Sequence, residues 1–291
     1  MATATELLPC VYHASLGWRA SYVQPGRRRG RLAQLGLLPS HLRSVCAFLV
    51  LFCANAFAPA QQAQQPLKYP FPEKLSYRIE WRFVTAGNVT VQLSRASAAN
   101  WQLDMDVQSA GLVTRLYKVE DKYKVVTDQK FCGVKSDLDA EEGKRHKLTS
   151  LSFDLPHNKV EYDDHDVLKN TSDKRWLDVP PCTREIAGAL ASLRLMDVPP
   201  GKSATFPITD GKKVAYGKIE AQARENVNVD GKSYQAIRYE AFLFDNVLYK
   251  RKGRLFIWLT DDAARVPVQL RFQLGFPVGT VTVELEKQQQ L

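Results

Sequence analysis

The feature that most constrains the fold is an alternation of apolar and polar residues that repeats along most of the chain after residue 70. Apolar side chains take every second position in Leu75–Phe83, Val89–Leu93 and Trp101–Val107. Successive residues of a β-strand point to opposite faces, so this period predicts strands with one buried face. Short turn-forming stretches separate these runs, which predicts an antiparallel meander.

The same pattern continues to the end of the chain and predicts roughly ten to twelve strands. Asp210-Gly211 and Asp230-Gly231 lie between alternating runs and are typical of hairpin turns. One segment, Arg184–Leu195, instead has apolar residues at helical spacing, with Thr183 as a candidate cap. We therefore predict a mainly β fold, a strongly curved antiparallel sheet or incomplete β-barrel with one helix at about 184–195.

Residues 43–60, RSVCAFLVLFCANAFAPA, have the layout of a secretory signal peptide. Arg43 precedes an apolar core of about 13 residues, too short for the ~20 that span a bilayer as a helix. Small residues follow, and cleavage after Ala60 fits best. Lipidation at Cys53 and an uncleaved anchor are the alternatives. We divide the chain into an extension and signal peptide (1–60), a polar linker (61–69) and a single β-rich domain (70–287).

The signal peptide changes how the charge and the cysteines are interpreted. The whole chain carries a net charge of +9, but residues 61–291 hold 34 basic and 30 acidic residues, a net +4. The excess that would suggest nucleic-acid binding is therefore mostly in the leader. Cys132 and Cys182 are the cysteines that remain, and export predicts that they form a disulfide. We expect a periplasmic or outer-membrane-associated protein of a Gram-negative-type bacterium.

Curved sheets of this size often enclose an apolar cavity. Large side chains at predicted inward positions are the candidate ligand-binding residues. They are Trp81, Trp101, Met105, Phe242 and Trp258. The competing interpretation is that they fill a core.

The search for reactive groups gives one polar cluster and no catalytic set. Asp261 and Asp262 lie just before Arg265. One of the aspartates pairs with Arg265 across a turn or stabilises the turn itself, or the two aspartates work as an acid–base pair. The run Asp163–Asp166 is typical of a solvated turn rather than a metal site. The sequence contains no G-x-S-x-G elbow, Gly-rich phosphate loop or zinc-finger spacing. We expect a non-enzyme with no metal and no cofactor.

Several ordered motifs resemble a large family of exported bacterial proteins that is described as a domain of unknown function. The similarity covers nearly all of residues 70–287. The motifs are Leu75-Ser76-Tyr77, Trp81, Ala86-Gly87, Ile257-Trp258-Leu259, Thr260-Asp261-Asp262, Arg265 with Pro267, and Gly279-Thr280-Val281. The resemblance implies export, a β-rich fold and no established activity. It also implies a distant similarity to the half-barrel carriers that move lipoproteins across the periplasm.

Together these features predict an exported, non-catalytic envelope protein that binds a hydrophobic or amphipathic ligand, such as a lipid, in a curved sheet. No nucleic-acid partner is expected, and peripheral contact with a membrane is compatible with the composition. The first alternative is an interaction module that docks an envelope partner, and the second is an envelope hydrolase.

Overall fold

The computed structural model of the protein describes residues 72–291. The predicted extension, signal peptide and linker at 1–69 lie outside the described residues. Within the described range, no helix is long and apolar enough to cross a membrane. Two short α-helices are present there, α1 at Gly111–Leu116 and α2 at Ile186–Ser192, and α2 continues as a 3-10 turn at Leu193–Leu195. The strands are β1 Glu73–Trp81, β2 Val84–Arg95, β3 Asn100–Ser109, β4 Val119–Asp128, β5 Gly133–Glu142, β6 Arg145–Asp154, β7 Lys159–Asp166, β8 Thr171–Asp178, β9 Ser203–Thr209, β10 Val214–Val229, β11 Lys232–Phe242, β12 Gly253–Thr260, β13 Pro267–Leu274 and β14 Thr280–Gln290.

The 14 strands form one antiparallel sheet in the order β8-β7-β6-β5-β4-β3-β2-β1-β14-β13-β12-β11-β10-β9. The first strand lies in the middle, hydrogen-bonded to both β2 and β14. The chain runs outward as a meander to the edge at β8, crosses through α2 to the other edge at β9, and returns to the centre. The predicted mainly β, unclosed sheet is confirmed, but the predicted strand number was too low.

Helix α2 lies against one face of the sheet and contacts both halves of it. Ala191 packs in a cluster with Leu103 and Val125 from β3 and β4. Leu193, at the end of the helix, packs in another cluster with Ile237 and Ile257 from β11 and β12. Two distant parts of the sheet can meet one short helix only if the sheet curves around it. We call the helix-bearing face the inner face and its opposite the outer face.

The entry to helix α2 is fixed by a cap and a disulfide. The Glu185 carboxylate accepts hydrogen bonds from the backbone amides of Ala187 (2.9 Å) and Gly188. The prediction that Thr183 caps the helix was therefore wrong. Its hydroxyl donates to the Pro180 carbonyl (2.6 Å). The predicted disulfide between Cys132 and Cys182 is confirmed, with Cα atoms 4.6 Å apart. It ties the β4–β5 turn to the segment that enters the helix.

Candidate functional site

A row of apolar side chains crosses the inner face beside helix α2. Its members are direct cross-strand neighbours on β1 to β5, and all but the first are only half-buried. We call this row the apolar strip: Leu75, Val91, Met105, Tyr123 and Leu138. The next row includes Leu103 and Val125, which are fully buried and pack in one cluster with Ala191 of the helix. The strip is thus an apolar surface that the helix leaves partly uncovered.

Two buried carboxyl groups lie on the same face as the apolar strip, Asp121 in the adjacent row and Glu142 in the row beyond it. Asp121 is flanked across the sheet by Val107 and Ala140, and it is only 1% exposed. Among the described residues neither of its carboxylate oxygens has a partner at ordinary hydrogen-bond geometry, although the Glu141 backbone amide lies close enough to favour the charged form. Burial raises the pKa of Asp121 to about 7, and the nearby Glu141 amide offsets part of the rise. Asp121 therefore stays largely protonated in mildly acidic solution and presents a neutral hydroxyl donor.

Glu142 extends this acidic position by two residues along β5. Its partner across the sheet is Val119, so it lies diagonal to Asp121 on the same face. Burial raises the pKa of Glu142 to about 8, and the neighbouring Asp121 carboxylate adds to the rise. A negative charge on one carboxyl group disfavours ionisation of the other, so the pair ionises in steps.

The five candidate ligand-binding residues are not all brought together. Met105 belongs to the apolar strip and packs against a core cluster that also contains Trp258, and Trp101 is buried beneath helix α2. Trp81 is half-buried at the end of β1, where its indole N–H donates to the Val278 carbonyl (2.7 Å). Phe242 and Trp258 alternate with inner-face residues on their strands and therefore lie on the outer face.

Trp258 contributes to a groove on the outer face formed by β10 to β13, with a volume of about 540 Å³. The Arg254 guanidinium lies 4.6 Å from the ring centre of Phe256, and the Arg271 guanidinium lies 5.1 Å from that of Trp258. Arg254 also donates to both carboxylate oxygens of Glu240 (2.7 and 2.9 Å), which lowers the pKa of Glu240. The arginines cover the two rings, so the outer groove is polar.

The predicted polar cluster stabilises a turn. One carboxylate oxygen of Asp262 accepts hydrogen bonds from the Thr260 hydroxyl (2.8 Å) and from the backbone amides of Ala264 (2.9 Å) and Arg265 (3.0 Å). The side chain of Arg265 pairs with Asp197 (2.9 Å) and not with the aspartates of the turn. Arg265 therefore fastens the segment after α2 to the β12–β13 turn.

Asp261 does not join that network. Its carboxylate accepts from Arg224 on β10 (2.7 Å). The acid–base interpretation would need Asp261 and Asp262 to share a site, and here they face different partners.

The described histidines are also separated. The rings of His146, His157 and His165 lie beside Asp139 (2.8 Å), Asp154 (2.8 Å) and Ser172 (3.0 Å), respectively. The run Asp163–Asp166 was predicted to form a turn, but it lies in strand β7. Among residues 72–291, no three His, Cys, Asp or Glu side chains are grouped to hold a metal ion.

A family model described as a protein of unknown function, DUF3108, matches residues 76–286. The chain belongs to the DUF3108 family. Its matched segment includes the whole apolar strip except Leu75, both buried carboxyl groups and the disulfide. The family resemblance predicted from the sequence motifs is therefore confirmed. No curated protein matches this DUF3108 chain.

Solved structures show what the DUF3108 chain resembles in fold. A β-barrel-like protein of the domain of unknown function DUF1849 from Brucella abortus aligns over 76% of this chain and 98% of its own, with 9% identity and a TM-score of 0.51. A putative exported protein with a YmcC-like fold from Bacteroides fragilis aligns over 77% and 98%, with 8% identity and a TM-score of 0.29. At this identity the first similarity shows a shared barrel-like fold alone.

Proposed function

We propose that this DUF3108 protein is a non-catalytic binding protein of the cell envelope, which holds an amphipathic, lipid-like ligand on the inner face of its sheet. The observation that carries the proposal is the apolar strip beside Asp121. Half-exposed apolar side chains on neighbouring strands lose contact with water when an acyl chain covers them, at about 25 cal/mol per Å² of apolar area.

Asp121 supplies the polar end of the proposed site. A buried carboxyl group without a partner costs about 1–3 kcal/mol, and a hydroxyl, amide or phosphate group of a ligand removes that cost. The protonated acid donates to such a group without bringing a charge into the apolar surroundings. An apolar row with one neutral polar group at its border suits a ligand that has one long apolar part and one polar head.

The first test is native mass spectrometry of the protein purified gently, without detergent, from its own host. We expect a co-purifying adduct of lipid mass. Met105→Gln places an amide in the middle of the apolar strip at similar volume, and the adduct should be lost or much reduced. Asp106→Gln changes the next residue, which is exposed on the outer face, and should keep the adduct. A clean mass for the wild-type protein would contradict the proposal.

The edge strand β8 favours a second candidate function, the docking of an envelope partner. Nearly all of its side chains are exposed, including Trp176 at 55%. An unpaired strand edge is a template for the addition of another strand. A clean native mass together with capture of a partner that is lost in Trp176→Ser would favour docking over ligand binding.

A further inference from the structure

Three connections at one end of the sheet carry the most exposed of the large apolar side chains in residues 72–291. Phe83 is 101% exposed and Phe276 is 96% exposed, values that are expected for polar turn residues rather than phenylalanine. Helix α1 adds Leu112 (67%) and Leu116 (78%). We call this surface the apolar rim: Phe83, Val84, Leu112, Leu116 and Phe276. Scattered single exposed apolar residues are ordinary, but a group of this size marks an interaction surface.

The loops of the apolar rim are neighbours. The β1–β2 turn contacts the β13–β14 turn, because Trp81 donates to the Val278 carbonyl (2.7 Å) and Arg82 donates to the Pro277 carbonyl. On the other side, the Ala110 amide just before α1 donates to the Ala86 carbonyl of β2 (2.8 Å). The exposed side chains therefore project from one continuous end of the sheet.

The backbone holds these side chains outward. Arg82 and Phe83 both have positive φ angles, +49° and +68°, in a two-residue turn where asparagine and glycine are favoured. In α1, Leu112 and Leu116 are four residues apart and share one exposed side of the helix, while Val113 is buried. Phe83 therefore contributes no buried apolar area to the core of the sheet, although it occupies a strained turn position.

Basic side chains flank the apolar rim. Arg82 lies in the β1–β2 turn, Arg115 in α1 and Lys144 in the β5–β6 turn, and all three are exposed. Within residues 72–291, none of them forms an ion pair with a carboxylate: Arg82 contacts the Pro277 carbonyl and the Trp81 ring. The β5–β6 turn adjoins α1 through the Gly143 amide, which donates to the Lys118 carbonyl (2.7 Å).

We propose that the apolar rim docks on the surface of a membrane that contains anionic lipid. Phe83, Phe276 and the two leucines of α1 enter the boundary between headgroups and acyl chains, where apolar side chains leave water. Arg82, Arg115 and Lys144 lie at the depth of the phosphates, to which their long side chains reach. The charge is what selects a lipid surface over a second apolar protein surface.

Vesicle co-sedimentation of the protein recovered from its host cells tests this docking. The wild-type protein should bind vesicles of phosphatidylcholine mixed with phosphatidylglycerol, and less well as salt is raised. Replacing Phe83, Leu112, Leu116 and Phe276 together by serine removes exposed side chains only, so the fold should persist, and affinity should fall roughly tenfold or more. Leu155→Ser is the matched control, since Leu155 is exposed (44%) in the β6–β7 turn at the opposite end of the sheet.

A second measurement locates the inserted residue. Phe83→Trp should add to the native tryptophan fluorescence a component that brominated lipids quench, whereas Leu155→Trp should add one that they do not quench, each compared with the wild-type protein, which contains Trp81 next to the same turn. Unchanged vesicle binding by the serine variant would overturn the proposal. Equal binding to pure phosphatidylcholine would overturn the role of the basic residues. A concentration-dependent dimer that is lost in the serine variant, without vesicle binding, would show that a second copy of the chain covers the apolar rim.

Discussion

A glutamate and an arginine share a buried position at the end of helix α2. The side chains of Glu73 and Arg194 form an ion pair and are each 2% exposed. Arg194 also donates to the Ala264 carbonyl (3.0 and 3.1 Å), and Gln288 donates to Glu73 (3.2 Å). A fully buried pair holds its partners in place mainly because loss of one leaves the other uncompensated.

We predict that Arg194→Met lowers the free energy of unfolding by about 3–5 kcal/mol, because the Glu73 charge remains buried without its partner. Urea denaturation followed by circular dichroism measures the change. The double variant Glu73→Gln with Arg194→Met removes both charges and should recover most of the loss. If the single and double variants were equally unstable, the packing of the arginine stem, not the charge, would be responsible.

Asp121 predicts a pH dependence of stability. Its pKa is about 7 in the folded protein and near the ordinary value of 3.8 in the unfolded chain. The folded state therefore keeps a proton that the unfolded state has lost, and stability falls as pH rises from about 4 to about 7. Above that range both states are ionised and this loss is complete.

The variant Asp121→Asn cannot ionise, so its urea midpoint should depend less on pH between about 5 and 7 than that of the wild type. The comparison is of slopes, because the substitution also changes the stability at every pH. Glu142 titrates higher, with a pKa of about 8, and should leave a residual slope in the variant. Parallel pH profiles would show that Asp121 is ionised in the folded state.

At the scale of elements, the disulfide joins helix α2 to the sheet. Cys132 and Cys182 are 50 residues apart, and closing a loop of that size is worth about 4 kcal/mol in the chain-entropy model. We predict that replacing both cysteines by alanine lowers the unfolding free energy by about 3–4 kcal/mol and increases amide exchange in α2. A reductant should destabilise the wild type and leave the variant unchanged. Equal exchange in α2 with and without the bond would contradict the tethering role.

The sequence pattern identified the strands whose buried face is apolar and missed β5, β8 and β9, in which apolar residues do not alternate regularly. Strand β8 is exposed on nearly every residue, so its side chains carry no alternation. Strand β5 has a largely polar sequence, and β9 contains Pro207. Helix α1 has six residues, too few for a helical period to emerge.

The candidate site was only partly predictable because alternation assigns faces within a strand and not between strands. Met105 was identified, whereas Trp258 and Phe242 were placed inward although they lie on the outer face. Leu255–Leu259 are all apolar and buried, and Phe242 lies between Ala241 and Leu243, so alternation does not assign Trp258 or Phe242 to a face. Asp121 was missed because a single acid in a strand gives no signal until its neighbours are known.

At the scale of the whole sheet, the first and last strands are neighbours at the centre. Tyr77 of β1 pairs with Leu285 of β14, whereas the other neighbouring strands of the described sheet all follow each other along the chain. The sheet consists of two meanders, β1 to β8 and β9 to β14, joined along one seam. The structural similarity to a β-barrel-like protein extends across both meanders, since it covers 76% of this chain.

This seam sets an order of folding. Each meander grows from hairpins between adjacent strands, which close quickly because little loop entropy is lost. The seam needs β14, which leaves the ribosome after the other strands of the sheet. Until then β1 keeps a bare edge at the position that becomes the middle of the sheet, and a bare edge attracts other chains. The nascent protein is therefore most prone to aggregation after β1 has emerged and before β14 is available to pair with it.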